Sequence, residues 1–260
     1  MGTDRYAYAS RLRRVDAIPK LWLSLIPLLL CVCCDSAAVG VATLLLMGGL
    51  NVWLGGQRLR TVLRFLKVPL AFLAVGCLTI LVRPLSPEEG ALWAVELLGR
   101  FRWGITAEYR DLSLMVLCKA MGAVSAMYFL SLNTPVTDVT LALERLRVPK
   151  LLVELMELIY RFIFVLTDTA GRIRVAQESR LGYQGWRRSL ESMGTLVSML
   201  FLRAWRQGER SFTALESRGY KGRLDTLPAD AVPGKWLYAV LAGVSAAQLG
   251  ALALERSLLG

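Results

Sequence analysis

At 260 residues, with 55% hydrophobic side chains and a mean hydropathy of +0.48, the chain is too apolar for a soluble domain of its size, so long stretches of it are expected in lipid. The formal net charge of +11 comes without a single histidine. In a membrane protein such an excess of Lys and Arg marks cytoplasmic loops, so no nucleic-acid partner is expected.

The opening "MGTDRYAYASRLRRVDAIPK" puts about twenty polar and basic residues before any apolar run and has no small-residue cleavage site, which argues against a secretory signal. It begins with Met-Gly but lacks Ser or Thr at the myristoylation position. Residues 21–50 are apolar apart from Ser24, Asp35, Ser36 and Thr43. That run is too long for one span of about 20 residues and short for two. It is read as a tight helical hairpin turning at Asp35-Ser36, with the lone Asp35 carboxylate as a solvated tip. The basic stretch "GGQRLRTVLRFLK" follows, and a third span is expected over 66–82.

Segment 83–110 mixes Pro, Gly, Glu and Arg and carries no long apolar run. A fourth span is expected over 112–132, where Lys119 snorkels or pairs within the bundle. A fifth is expected over 235–254. Cys31, Cys33, Cys34, Cys77 and Cys118 all lie in apolar stretches. They are read as packing residues, because no second Cys/His pair completes a tetrahedral metal set beside "CVCC". With the N-terminal tail and the 58–67 loop both basic, the positive-inside rule places both in the cytoplasm. Segment 83–110 is then outside, residues 133–234 inside and the C-terminus outside.

Residues 133–234 carry fifteen Lys and Arg. A short helix is expected to break at Val148-Pro149. From Lys150 to Gly182 there is no proline, and Leu152, Leu155, Ile159, Phe162, Leu166, Ile173 and Ala176 form a stripe of helical period. Glu154, Glu157, Arg161, Asp168, Arg172 and Arg174 make this a poor lipid-spanning helix. A second long amphipathic helix is expected over 187–218, with Leu190, Met193, Val197, Leu200, Ala204, Phe212 and Leu215 as its stripe. Each apolar face needs a cover: the other helix, the underside of the membrane, or another subunit. The chain divides on this reading into N-terminal transmembrane helices over 1–132, a cytoplasmic region over 133–234 and a C-terminal transmembrane helix over 235–260. The fold class is an all-α polytopic membrane protein of about five transmembrane helices plus two long amphipathic helices.

The two long helices end alike. Arg172, Ala176, Glu178, Ser179 and Arg180 correspond to Arg210, Ala214, Glu216, Ser217 and Arg218 at a constant offset of 38. Gly182 or Gly185, and Gly219 or Gly222, are expected to stop the helices in a left-handed conformation. A cation in the last turn is favoured by about 0.3 to 1 kcal/mol through the helix dipole. A helix stop, however, needs neither the same Glu nor the same Ser twice. A projecting guanidinium is also a peg that pairs bidentately with a carboxylate, and two equivalent pegs suit a partner with two equivalent grooves.

Short N-terminal spans followed by two long amphipathic helices, each ending in small-Arg-Gly, resemble the transmembrane T component (EcfT) of energy-coupling factor importers. The stretches "ERLRVPKLLVELMELIYRFIFVLTDTAGRIRVAQESR" and "DRYAYASRLRRVDAIPK" resemble its CbiQ-type cobalt/nickel branch. The resemblance implies docking of Ser179, Arg180 and Gly182, and of Ser217, Arg218 and Gly219, into two ATP-binding cassette ATPase subunits. It also implies a small substrate-binding membrane subunit, the S component, on the apolar face of the coupling helices. Ser217-Arg218-Gly219 matches the family pattern, whereas in the first motif Leu181 stands between Arg180 and Gly182. Cobalt or nickel is the implied cargo, with a vitamin as the alternative.

No cofactor is expected in this chain. It has no P-loop "GxxxxGK[ST]", and the lack of histidine argues against a resident nickel or cobalt site. An intramembrane enzyme would need a nucleophile-base pair or metal cluster, of which the sequence shows none, and a stand-alone channel would need no ATPase.

Overall fold

A computed structural model describes residues 4–85, 93–97, 101–220 and 232–259. Their contacts divide the chain into two compact units, Met1–Val139 with Asp230–Gly260, and Thr140–Ala229.

The first unit opens with α1 (Asp4–Ala9) and a 3-10 turn (Arg11–Arg14), followed by α2 (Ala17–Cys33) and α3 (Ala37–Trp53). These two helices form the expected hairpin. Cys34 leaves the helix into extended backbone, and Ser36 caps α3 by accepting the Val39 N–H at 3.2 Å. Asp35 at the tip is not the lone carboxylate expected of it, because Lys119 Nζ donates to its Oδ1 at 2.6 Å. Lys119 therefore pairs within the bundle. At 17 residues each, α2 and α3 are about 25 Å long, close to the shortest length that spans a hydrocarbon core.

Three further helices are long and apolar enough to cross a membrane: α4 (Leu59–Leu81), α5 (Ala107–Asn133) and α9 (Trp236–Leu259). The chain is thus a polytopic membrane protein of the expected all-α class, with five apolar helices among the described residues and a small sheet between two of them. Helix α4 starts seven residues before the expected span, at Leu59 rather than residue 66, and takes Arg60, Arg64 and Lys67 into its first turns. Long basic side chains at a helix end keep their charge at the interface, so the apolar run does not mark the helix start. Between α4 and α5 lies a small antiparallel sheet of order β1-β3-β2, from β1 (Arg83–Leu85), β2 (Trp93–Leu97) and β3 (Phe101–Ile105), with Arg83 opposite Gly104 and Val95 opposite Trp103.

The core of this unit joins Leu12, Leu23, Met47, Ala126, Phe129, Leu237 and Val244, with a second cluster of Val62, Leu66 and Met121. Helices α3 and α5 touch backbone to backbone. A Cβ on Gly40 would lie 2.5 Å from the Cys118 carbonyl carbon, and one on Gly122 would lie 2.6 Å from the Gly40 oxygen. Small residues allow such an approach, and van der Waals contact rather than water exclusion holds helices together in lipid. Buried polar groups act as further ties. Ser24 Oγ donates to Ala126 O at 2.6 Å, and Gln248 Nε2 of α9 donates to Pro27 O and Thr43 Oγ1 at 3.0 and 2.7 Å. The Cys31 and Cys77 thiols pack buried against the Lys119 and Ser113 carbonyls.

One end of the bundle is organised by hydrogen bonds. Ser10 Oγ donates to Asn133 Oδ1 and Asn133 Nδ2 donates to Asn51 Oδ1, each at 2.7 Å. Gln57 Nε2 reaches Tyr6 O and Leu132 O, fully buried Lys20 donates to Leu12 O at 3.1 Å, and Val232 pairs with Arg14 and Asp16. The N-terminal segment, the α3–α4 link, the end of α5 and the entry to α9 therefore share one end, as the hairpin requires. Glu255 of α9 meets the Ser36 hydroxyl and the Ala38 N–H beside the hairpin tip.

The second unit contains most of α6 (Val136–Arg145), then α7 (Lys150–Ser179) and α8 (Trp186–Ser217). Helix α6 ends at Arg145, Arg147 in the turn after it takes φ 65°, and α7 begins after Pro149, close to the break expected at Val148-Pro149. Helices α7 and α8 run antiparallel. Gln177 Nε2 donates to Ser192 O at 2.9 Å at one end, and Tyr220 OH donates to Glu154 Oε2 at 3.1 Å at the other.

Candidate functional site: the two arginine-capped helix ends

Helix α7 is 30 residues and α8 is 32, so each rod is about 45 to 48 Å long. Exposed i,i+4 pairs, Arg172 with Asp168 at 2.5 Å and Arg174 with Glu178 at 2.9 Å, support the last turns of α7. Both helices stop in the same way. Arg180 is the C-cap of α7 with φ −98° and ψ 16°, and Arg218 is the C-cap of α8 with φ −95° and ψ 11°. The next residue is left-handed in both: Leu181 at φ 58° and Gly219 at φ 77°. The Leu181 and Gly219 N–H groups donate to Glu178 O and Glu216 O, and the Gly182 and Tyr220 N–H groups donate to Gln177 O and Leu215 O. These are two Schellman caps, equivalent bond for bond at the offset of 38.

The helix stop in the first motif is therefore Leu181, not Gly182 or Gly185. Leu181 takes the place of Gly219 rather than being added before a glycine. Gly182 has another reason to be small. A Cβ there would lie 2.7 Å from Ser192 Oγ, which donates to the Gly182 carbonyl at 2.7 Å. Gly185 is also left-handed, at φ 82°, but stands at the N-cap of α8. In the second motif the stop is Gly219, while Gly222 lies outside the described residues.

Arg180 and Arg218 are both exposed, and neither takes part in an ion pair among the described residues. Ser179 and Ser217 turn their hydroxyls back onto their own helices, to Val175 O at 2.9 Å and Ala214 O at 3.0 Å. Because α7 and α8 are antiparallel, the two arginines stand at opposite ends of the pair, about 45 Å apart by helix length.

Each end is wired to the neighbouring helix by residues that the motif alone does not reveal. At the Arg180 end, Tyr183 OH donates to Gln177 Oε1 at 2.8 Å while Gln177 Nε2 holds Ser192. The Arg174 guanidinium lies 5.8 Å from the Tyr183 ring centre. At the Arg218 end, the hydrogen bond to Glu154 holds the Tyr220 phenol above its ordinary value. Burial, reinforced by Glu144 and Glu154, raises the nearby Glu157 carboxyl, with Arg161 opposing.

Much of the expected apolar stripe is uncovered within the unit. Leu152, Leu155 and Ile159 of α7 are exposed, as are Leu190, Met193, Val197 and Phe212 of α8, and α8 has no buried residue. Among the described residues, no three His, Cys, Asp or Glu side chains come together to hold a metal.

Residues 9–227 match the model of the family described as CbiQ, cobalt transport protein. The chain is 34% identical over 230 residues to a protein named as a fused cobalt transport protein CbiMQ from Methanocorpusculum labreanum, covering 84% of this chain and 36% of that longer one. It is 32% identical over 221 residues to the cobalt transport protein CbiQ of Salmonella typhimurium, covering 85% and 97%. A 176-residue match at 30% identity, covering 63% and 64%, links it to the energy-coupling factor transporter transmembrane protein EcfT of Exiguobacterium sibiricum.

Proposed function

The chain belongs to the CbiQ cobalt transport protein family, and from that premise we propose that it is the coupling subunit, or T component, of an energy-coupling factor importer for cobalt or nickel ions. Residues 1–132 and 235–260 form its membrane part, and 133–234 lie on the cytoplasmic side of the inner membrane. Two ATP-binding cassette subunits receive Arg180 and Arg218 in one groove each. A substrate-binding membrane subunit packs on the uncovered apolar stripes of α7 and α8.

The observation that carries this reading is the equivalence of the two caps. Two exposed guanidinium groups, outside any ion pair among the described residues, stand on nearly identical backbone at opposite ends of one pair of rods. A planar fork of donors suits a carboxylate in a partner groove. Two copies of one peg suit two copies of one partner. ATP closes the motor dimer and shifts the pegs relative to each other. The rods pass that displacement to the substrate-binding subunit, whose outward and inward states make different contacts with them. The chain makes and breaks no covalent bond; it supplies a coupling free energy between two sites.

The test is co-purification. Arg180→Glu combined with Arg218→Glu, co-expressed with the ATPase subunits, is expected to lose them in mild detergent while keeping its own helix content and unfolding midpoint. Undiminished ATPase recovery sinks the docking assignment. Radiolabelled cobalt and nickel uptake with and without the chain tests the cargo, and normal uptake of both metals with loss of a vitamin moves it to another branch.

A further inference from the structure

Between α7 and α8 runs a continuous groove in two stretches of about 400 and 460 Å3 that share Phe162, Val165 and Gln207. Its floor is apolar, from Phe162, Val165 and Leu166, and its walls carry Arg161, Arg203, Arg206 and Arg210, with the docking residue Arg218 at one end. We propose that this groove binds the headgroup of an anionic membrane phospholipid, with arginines on the phosphate and the apolar floor under the start of the acyl chains.

Charge is the first argument. Arg203, Arg206 and Arg210 follow one another at helical spacing on one face of α8, and Arg161 lines the groove from α7. Four acids of these helices are engaged elsewhere. Asp168 holds Arg172, Glu178 holds Arg174, Glu209 accepts the Trp205 indole N–H at 2.8 Å, and Glu154 accepts from Tyr220. Among the described residues none of the four groove arginines takes part in an ion pair. Glu157 is the acid on the wall, and its carboxyl is easier to protonate than usual. Four guanidinium groups outside any ion pair among the described residues, of which Arg210 donates only its Nε, to Arg206 O at 3.2 Å, call for an anion with several acceptor oxygens.

Shape and neighbourhood choose among anions. A free phosphate has no use for a floor of Phe, Val and Leu, whereas a phospholipid has an apolar segment next to its phosphate. Helix α8 also exposes Trp186, Phe201 and Trp205 beside its arginines. A basic amphipathic helix with exposed aromatics is the pattern of a rod that lies against an anionic bilayer surface.

The experiment uses the full chain in nanodiscs of equal phosphatidylglycerol and phosphatidylcholine, with a photo-crosslinking amino acid at position 162 and the adducts weighed by mass spectrometry. Phosphatidylglycerol adducts are expected to exceed phosphatidylcholine adducts by about five-fold or more, given ~1 kcal/mol per basic residue near an anionic surface. The excess is expected to survive millimolar inorganic phosphate and to vanish in Arg203→Gln, Arg206→Gln, Arg210→Gln. The Lys triple variant keeps the charge and is expected to retain a preference, which separates lost binding from lost folding. Equal adducts in the unmodified groove, displacement by free phosphate, or crosslinking to an acidic polypeptide in the co-purified complex overturns the proposal. Arg180 and the groove-end Arg218 keep their identity in every variant, so ATPase co-purification stays a separate readout and failure here is distinct from failure of the docking assignment.

Discussion

Leu181 holds a left-handed backbone that costs an L-residue about 1 to 2 kcal/mol, and its counterpart Gly219 holds the same conformation without that cost. Nothing lies within 4 Å of a Cβ built on Gly219, so the difference between the two caps is backbone energy rather than crowding. Leu181→Gly is therefore expected to steady the first cap by about 1 kcal/mol, which slows exchange of the Gly182 amide by about five-fold in hydrogen-exchange mass spectrometry. Gly219→Ala is expected to do the reverse at Tyr220, and equal exchange in both variants would remove the strain from Leu181. Glu157 makes a second prediction at this scale. Its folded carboxyl sits above the ordinary 4.5, so the native state holds the proton more tightly than the unfolded chain. The associated stability is complete below about pH 4.5 and is lost as pH rises through the folded value. Glu157→Gln is thus expected to raise the unfolding midpoint at neutral pH and not at pH 4. The gain is expected to be small, because solvent screens this partly exposed group. A larger gain at low pH than at neutral pH contradicts the sign.

The tandem rods and the hairpin are the elements most legible in the sequence, because each has a local cause. Seven apolar residues at helical spacing without a proline specify α7, and Asp35-Ser36 in an apolar run specifies the turn. Four features escaped that logic. The Asp35–Lys119 pair joins residues 84 apart, and no local pattern encodes which basic residue an acid will meet. In the sheet over 83–105, Arg, Pro, Glu and Gly interrupt alternation in strands of three and five residues. Leucine carries no preference for φ > 0, so the stop at Leu181 was hidden while Gly182 drew attention. The α3–α5 crossing was equally silent, since Gly40 and Gly122 look like ordinary membrane-helix glycines until the backbones meet. Gly40→Val would drive its side chain into the Cys118 carbonyl and force the helices apart, for a cost of about 1 to 3 kcal/mol. A lower unfolding midpoint in detergent and poor recovery of monodisperse protein are expected. Gly49→Val, in a site open to 4 Å, is the control that should leave both unchanged.

For the whole molecule, the proposed docking makes the placement of Arg180 and Arg218 decide how force would pass through it. Rods of about 45 Å tied to each other at both ends, by Gln177 to Ser192 and by Tyr220 to Glu154, move as one lever rather than as two loose arms. A motor that grips one end only can tow such a lever but cannot turn it, because turning needs opposed displacements at two separated points. Holding the complex together and driving transport are then separable. On the proposed docking, one arginine left in its groove would keep an ATPase dimer attached, while loss of either would remove the couple. Arg180→Ala and Arg218→Ala, tested singly in the reconstituted importer, are each expected to retain ATPase subunits and hydrolysis but to lower metal uptake per ATP by at least about tenfold. That is the size of one desolvated Arg–carboxylate contact, about 1.5 to 3 kcal/mol. Because the two caps share backbone geometry, the two losses are expected to match. A single variant that transports normally while its counterpart does not would mean that one end alone carries the stroke, and the lever would have to be redrawn around that end.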